Sequence, residues 1–257
     1  MFTSTEFTFD GITGEDYGLM LGNLTTGADQ QPFGVSRSIV EEKIPGKEQA
    51  YFYHFDYEPL RFVATFVREK EWSMHDRRQI AKWFFQREYK PFVSLDDTGI
   101  IYNCMVVDNP EKIMVGNIQR MIQLNFQCDA PWAWSANSFS NFDLSTNPGT
   151  SPVVITNQSN VVDWYKPQIT IQKRNGPGDI TLTNLADGNR EFQLTGLLDD
   201  EIILVNNEIQ QILSNLPNRY PLNHFNRKWA RLRQGENIIN VQGDCEISFM
   251  CKFPIGV

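Results

Sequence analysis

LRFVATFV, residues 60–67, is the stretch that decides the fold of the first half of this 257-residue sequence. Apolar side chains alternate along one face of it, and valines stand on the other face: Leu60, Phe62, Ala64 and Phe66, then Val63 and Val67. This pattern is typical of a β-strand that is covered on both sides. The sequence therefore predicts a strand in the interior of a β-rich domain.

The period of the pattern changes directly after this strand. Residues 73–87 read SMHDRRQIAKWFFQR, and their apolar side chains recur at helical spacing: Met74, Ile80, Trp83 and Phe84. Ser73 followed by Asp76 is an N-capping pattern, in which each side chain accepts the backbone N–H of the other residue. We expect one α-helix here.

Two further β-elements are predicted before residue 60. The first alternates Phe2, Phe7 and Phe9 with Thr, Ser and Glu, which indicates an edge or pairing strand. The second is a β-hairpin in residues 35–53, because its centre holds a Pro-Gly turn. That turn consists of Lys43, Ile44, Pro45, Gly46 and Lys47.

After the helix, strands resume as a meander that completes a first domain. They are predicted at residues 92–95, 101–107, 113–115 and 120–128, with turns at residues 96–99 and 108–110. Residues 131–152 then shift to Ser, Asn, Pro and Gly, which marks a connector or an exposed strand that leads into a second domain. We place the boundary near Ser138, which gives an N-terminal domain of residues 1–137 and a C-terminal domain of residues 138–257.

In the second domain, short strands follow one another at regular spacing, separated by turns that contain Gly, Pro and Asn. They are predicted at residues 153–156, 167–172, 179–184, 190–194, 201–205, 208–213, 229–231, 237–241 and 245–253. Such spacing is typical of a β-sandwich. The predicted fold class is therefore mainly β, with one α-helix in the N-terminal domain and a sandwich in the C-terminal domain.

The composition predicts a folded protein without a surface that reads nucleic acid. Hydrophobic residues make up 41% of the chain, which is ordinary for a globular protein. The formal net charge is −8 and the isoelectric point is near 5.0, whereas nucleic-acid binders need a basic face. The chain shows no signal-peptide pattern and no run of about eighteen apolar residues. We expect a product made in the cytosol without a membrane anchor of its own.

Residues suited to catalysis or metal binding form no recognisable motif. The four cysteines lack C-x-x-C spacing and are expected to be reduced core residues. The three histidines, His54, His75 and His224, stand apart from any nucleophile motif. Asp199, Asp200 and Glu201 could supply the carboxyl pair of a glycoside hydrolase, but adjacent strand residues point to opposite faces, and a solvated turn is the interpretation we favour. We expect a protein that is not an enzyme, with no catalytic or metal site and no cofactor.

Several phrases of the sequence resemble the distal tail proteins of long-tailed bacteriophages, the siphoviruses. In the first half these are the turn at residues 43–47, the strand LRFVATFV, the helix before Lys90-Pro91-Phe92 and the run LNFQCDAPWAW at residues 124–134. In the second half they are WARLRQGEN at residues 229–237, then Ile239, Val241 and Ile247-Ser248-Phe249. The resemblance covers nearly the whole chain, but these motifs bear on the fold and are not a catalytic signature.

The resemblance implies both a fold and an assembly. The first domain would be akin to a tail-tube subunit and would form a ring, usually six-fold, while the second would be a galectin-like β-sandwich that faces outward. The ring would be a hub that joins the tail tube to tail-tip or baseplate proteins, such as a tail-associated lysin or spike, with a receptor-binding protein as a further partner. It would lie at the distal end of the virion tail after assembly in the host cytoplasm, and DNA would pass through it without specific binding.

Candidate contact residues follow from these expectations. An edge strand can pair with a charged hairpin of a neighbouring copy, so one set is assigned to the ring interface. This set is Phe2, Phe7, Phe9, Lys43, Ile44, Pro45, Gly46 and Lys47. Exposed aromatic rings serve protein and glycan surfaces alike, so a second set is Trp164, Tyr165 and Tyr220. The alternative function is therefore a carbohydrate-binding adaptor that acts through the C-terminal sandwich.

Overall fold

The computed structural model describes residues 4–22, 35–115, 118–147 and 149–256, and Phe2 lies outside these ranges. The chain divides into two compact units. The first unit ends at Ala136 and also includes the chain from Ile255 on, whereas the second unit is Asn137–Pro254. The last residues of the chain therefore return to the first unit.

The first unit is built on one large sheet, whose strands differ widely in length. The strands of the first unit are β1 (Phe7–Phe9), β2 (Ile12–Thr13), β3 (Leu19–Gly22), β4 (Arg37–Glu42), β5 (Tyr51–Tyr57), β6 (Arg61–Arg68), β7 (Lys90–Ser94), β8 (Ile100–Val115), β9 (Ile118–Cys128) and β10 (Ala133–Ser135). The main path through the sheet is β2-β1-β7-β8-β9-β6-β3, and β10 pairs with β8. β4 and β5 form a separate two-stranded sheet, which confirms the predicted hairpin.

The helix α1 spans Met74–Phe84 and is capped as the sequence predicts. The Ser73 hydroxyl accepts the Asp76 N–H at 3.1 Å, and the Asp76 carboxylate accepts the Ser73 N–H at 3.2 Å. Ile80, Trp83 and Phe84 are buried, but Met74 is 64% exposed. The prediction was wrong for Met74, because nine residues make two and a half helical turns and place it on the side opposite Trp83.

Phenylalanine rings fill the core of the first unit. The centroids of Phe7 and Phe66 lie 4.9 Å apart and those of Phe62 and Phe126 lie 5.2 Å apart. Trp83 ties the helix to this core, since its indole N–H donates to the carbonyl of Phe9 at 3.0 Å. Aromatic packing thus joins α1 to the strands.

Two expectations about this sheet hold only in part. Phe7 and Phe9 are 1% and 0% exposed, and β1 lies between β2 and β7, so β1 is the pairing strand of the two alternatives and not the edge strand assumed for the ring interface. Alternation of apolar and polar residues marks a strand with one buried face, which an internal strand satisfies as well as an edge strand. Val63 is 53% exposed, so β6 is covered on both faces over only part of its length.

The strand β8 is a single strand of 16 residues, although the sequence predicts a turn at residues 108–110. A β-bulge accommodates the turn chemistry instead: the register with β9 shifts between Val107 and Glu111, and Asp108 has a φ of 56°. β7 pairs with β8 only as far as Cys104, and β6 pairs with β9 only from Met121. We call the part beyond these pairings, residues 108–115 and 118–120, the β8–β9 arm.

The second unit is a sandwich of two antiparallel sheets. One sheet has the order β11-β21-β14-β17-β18 and the other has the order β12-β20-β15-β16, while β13 and β19 form a small pair. These strands are β11 (Ser138–Leu144), β12 (Thr150–Asn157), β13 (Trp164–Tyr165), β14 (Gln168–Lys173), β15 (Gly178–Asn184), β16 (Arg190–Leu197), β17 (Ile202–Asn206), β18 (Gln211–Ser214), β19 (Leu232–Arg233), β20 (Gly235–Gln242) and β21 (Cys245–Cys251). A last strand, β22 (Pro254–Ile255), pairs with β10.

Most predicted strands of the sandwich are present, with two differences. The strand expected at residues 229–231 begins instead at Leu232, where it pairs with β13. The Ser- and Asn-rich connector contains β11, which pairs with β21 over seven residues. Polar composition misleads here because much of β11 faces solvent, so few apolar residues are needed to hold it in the sheet.

Candidate functional site

Among the described residues of the first unit, the β4–β5 hairpin, residues 37–57, has the largest group of exposed apolar side chains. Its large side chains are 44% to 58% exposed: Ile39, Ile44, Tyr51, Phe52, Tyr53 and Tyr57. A two-stranded hairpin is at best marginally stable in water, and clustered exposed aromatic residues mark interaction surfaces. The hairpin is therefore the element of this unit best suited to contact another molecule.

Contacts within the hairpin keep its strands together. The Arg37 guanidinium lies 4.5 Å from the centre of the Phe55 ring, which is a cation–π distance. The Tyr53 hydroxyl donates to the Glu42 carboxylate at 2.6 Å, and this bond raises the pKa of Tyr53. These exposed contacts order the side chains without burying them.

The tip of the hairpin has the predicted turn. The Lys47 N–H donates to the Ile44 carbonyl at 3.1 Å, and Gly46 has a φ of 85°, which a glycine adopts without strain. The Lys47 ammonium donates to the Tyr51 hydroxyl at 2.6 Å. The tip therefore presents Ile44 and Pro45 between charged side chains, and its contact with a neighbouring copy stays a prediction.

The three aromatic residues proposed for a partner or glycan surface have different environments. Tyr220 is 69% exposed, and Trp164 is 37% exposed. The Arg231 guanidinium lies 4.0 Å from the centre of the Trp164 ring and covers one of its faces. Tyr165 points inward: its ring packs on Phe253 at 4.8 Å, and burial raises its pKa. Trp164 and Tyr220 are thus the two of the three that remain available.

The carboxylates at residues 199–201 have different environments. Asp199 and Asp200 are exposed, as expected of a solvated turn, and Asp200 forms an ion pair with Arg174. Glu201 does not fit the solvated turn, because its side chain is 0% exposed. Sequence position alone could not distinguish these neighbours, since one backbone step turns a side chain from solvent into the interior.

Glu201 has a structural network of its own. Its carboxylate accepts the Leu198 N–H at 2.9 Å, the Ser214 hydroxyl at 2.7 Å and the Arg219 Nε–H at 3.1 Å. Burial raises the pKa of Glu201, but these hydrogen bonds and the Arg219 charge outweigh burial and bring the pKa below its ordinary value. The group is an ionised anchor of the sandwich.

The sequence interpretation missed an apolar surface on the β8–β9 arm. Met114, Val115 and Ile118 are 50%, 59% and 40% exposed there. Between this arm and α1 lies a groove of about 130 Å³, which we call the α1–arm groove. The available signal was the run Ile113-Met114-Val115, which breaks the alternation expected of a strand with one solvated face.

Other classes of site are not indicated within the described ranges. No cluster of three or more His, Cys, Asp or Glu side chains suited to a metal ion occurs there, and none of the helices there has the length and hydropathy needed to cross a bilayer. The cysteines are unpaired and buried, and burial raises the pKa of Cys128 and Cys251 to about 12. These thiols pack as apolar side chains.

Comparison with known proteins identifies the family. Residues 2–130 match the family model for a phage tail protein N-terminal domain, and residues 132–251 match that for a phage tail C-terminal domain. The chain belongs to this phage tail protein family. This phage tail protein is 23% identical over 251 residues to the SPbeta prophage-derived uncharacterized protein YomH of Bacillus subtilis (strain 168), with 97% of each chain covered.

A solved structure shows which fold this tail protein has. The Dit protein (gp 19.1) of phage SPP1 superposes with a TM-score of 0.67 over 96% of this chain and 98% of that one, at 14% identity. That protein is described as a paradigm of the hub adsorption apparatus in phages that infect Gram-positive hosts. The predicted resemblance to distal tail proteins and the mainly β fold class are both confirmed.

Proposed function

We propose that this tail protein is a ring-forming hub at the distal end of the phage tail. One observation carries the proposal: the Dit fold extends over both units of the chain, and the SPP1 protein with that fold is described as a hub. The first unit forms the ring, six copies close it, and the sandwich faces outward. The ring joins the tail tube to tail-tip or baseplate proteins, among them a lysin or spike and a receptor-binding protein.

The exposed hairpin supports assembly through contacts between copies. A ring requires a heterologous interface, in which one surface of each copy binds a different surface of the next copy. The β4–β5 hairpin offers the first of these surfaces, since its aromatic side chains remain exposed in the single chain. Covering them would remove apolar area from water and so favour association.

The same arrangement fits a structural role with no reaction. The acidic balance of the chain, with a formal net charge of −8, disfavours adhesion of phosphate groups, so DNA passes the ring without specific binding. We propose that the protein has no enzymatic activity and needs no cofactor. Assembly takes place in the host cytoplasm.

The ring is tested by light scattering and negative-stain imaging of the full chain over a wide concentration range. In a deletion variant, an Asn-Gly turn replaces residues 42–48 and keeps the strands of the hairpin connected. We expect closed rings of the wild type and a folded monomer of the variant, while Tyr220→Ala, as a surface control, leaves the rings intact. A wild type that stays monomeric both alone and with purified tail tubes would refute the ring.

A carbohydrate-binding adaptor remains the second candidate, because Trp164 and Tyr220 are exposed on the sandwich. The Arg231 guanidinium over Trp164 leaves only one face of that ring for a sugar. Glycan-array binding that is lost in Trp164→Ala and Tyr220→Ala would support this candidate. Absence of binding to host cell-wall glycans would count against it.

A further inference from the structure

The α1–arm groove is an apolar recess in the first unit with room for one side chain. Its volume of about 130 Å³ is close to the roughly 150 Å³ of apolar cavities that bind a benzene ring. Ile80, Phe84 and Leu124 form its apolar base, and Phe85, which is 49% exposed, stands at its mouth. A branched aliphatic or aromatic side chain is the occupant of matching size.

Polar groups around the groove set a second requirement on the occupant. Trp72 Nε1 and Arg77 Nε are buried N–H donors that have no acceptor within the part of the chain that the structure describes. An occupant that brings carbonyl oxygens and no extra N–H would suit them, after a small shift of the partly buried Arg77 side chain. The groove is lined by two basic side chains and one acidic side chain, namely Arg77, Lys112 and Glu111.

The tip of the β4–β5 hairpin meets both requirements. Ile44 is the one large apolar side chain among residues 43–50, and it is 44% exposed. Pro45 follows it and has no N–H, so the segment adds a carbonyl without adding a donor. Lys43 and Lys47 flank Ile44 and Pro45, so the match between tip and groove rests on side-chain size and on the carbonyl oxygens and not on charge.

We propose that the α1–arm groove of one copy receives Ile44 from the hairpin tip of the neighbouring copy. The proposal rests on the ring proposed above and names the second surface that a heterologous interface requires. Insertion of Ile44 covers Phe85 and the base of the groove, and the Pro45 carbonyl faces the Arg77 side of the rim. The two surfaces lie on the same chain, so each copy donates one tip and accepts another.

The test is disulfide trapping in the full chain. Ile44→Cys is combined with Phe85→Cys, and a matched control combines Ile44→Cys with Val63→Cys, which is exposed to a similar extent at 53% but does not line the groove. The native cysteines are buried, so mild oxidation by copper-phenanthroline and oxygen favours the introduced thiols. A disulfide needs Cα atoms within about 7 Å, which makes the trap specific.

We expect a ladder of covalent multimers on a non-reducing gel for the first pair and none for the control pair. Ile44→Asp should also raise the concentration at half-assembly by about tenfold or more, while Ile209→Asp, which alters an exposed isoleucine of the sandwich, should not. Light scattering of the reduced proteins measures ring formation independently of disulfide trapping. Rings without trapping at Phe85, or with equal trapping at Val63, would overturn the groove assignment and leave the ring standing. Absence of any ring would overturn both.

Discussion

Removal of the Glu201 carboxylate should destabilise the sandwich more than removal of its acidic neighbours. Glu201 is the fully buried member of the trio at residues 199–201, and it accepts bonds from a backbone N–H, a hydroxyl and a guanidinium. Glu201→Ala would leave all three donors without this acceptor. Asp200→Ala, in contrast, removes an exposed ion pair with Arg174.

The expected loss of stability follows from the burial of both members of the Glu201–Arg219 ion pair. Removing one partner of a buried ion pair costs about 3–5 kcal/mol. Arg219 is 19% exposed and also donates to the Gly196 carbonyl, so the guanidinium retains some partners and the lower end applies, about 3 kcal/mol. Glu201→Gln keeps an acceptor oxygen and should cost about 1–2 kcal/mol. Asp200→Ala should cost less than about 1 kcal/mol.

These stability costs are measured by urea unfolding with pulsed hydrogen exchange as the readout. Peptides from β17 and β18 then report on the sandwich alone. The folded-state pKa of Glu201 is lowered, so its stabilisation is present above the unfolded-state pKa near 4.5 and is lost as pH falls through the folded-state pKa. The stability difference between wild type and Glu201→Gln should therefore narrow in acid. Equal costs for Glu201→Ala and Asp200→Ala at neutral pH would refute the network.

Three further predictions concern the helix, the thiols and the residues between β11 and β12. Ser73→Ala should lower the free energy of unfolding by about 1 kcal/mol because the Asp76 N–H loses its cap, and an unchanged urea midpoint for the first unit would contradict this. The four thiols should react with an aromatic disulfide reagent at about pH 8 only after unfolding, because burial raises the pKa of each thiol. A thiol that reacts fast in the native protein would contradict this prediction. Limited proteolysis should cut at residues 145–149 before it cuts within β11, whose seven paired residues protect it.

Local chemistry in the sequence was sufficient to predict the elements that depend on neighbouring residues. The cap of α1 needs only Ser73 and Asp76, and the hairpin turn needs only Pro45 and Gly46, so both were predicted correctly. The sandwich strands were recognisable because an alternating pattern and a turn recur together. Such signals are contained within about ten residues of chain.

Features that depend on distant parts of the chain were not predictable in this way. Whether β1 lies at an edge depends on β7, which is more than eighty residues away, and the bulge at Asp108 depends on continued pairing with β9. The burial of Glu201 depends on Arg219 and Ser214. The α1–arm groove likewise requires two elements whose spacing no local pattern encodes.

The return of the chain to the first unit at Ile255 bears on the order of events during synthesis. The first unit contains β10, which pairs with β22, so that part of its sheet lacks a partner until the whole sandwich has been translated. At typical rates of about 5–20 residues per second, the delay is on the order of ten seconds. During this interval β10 pairs with β8 alone. We expect the proposed ring to close only after β22 has emerged and paired with β10.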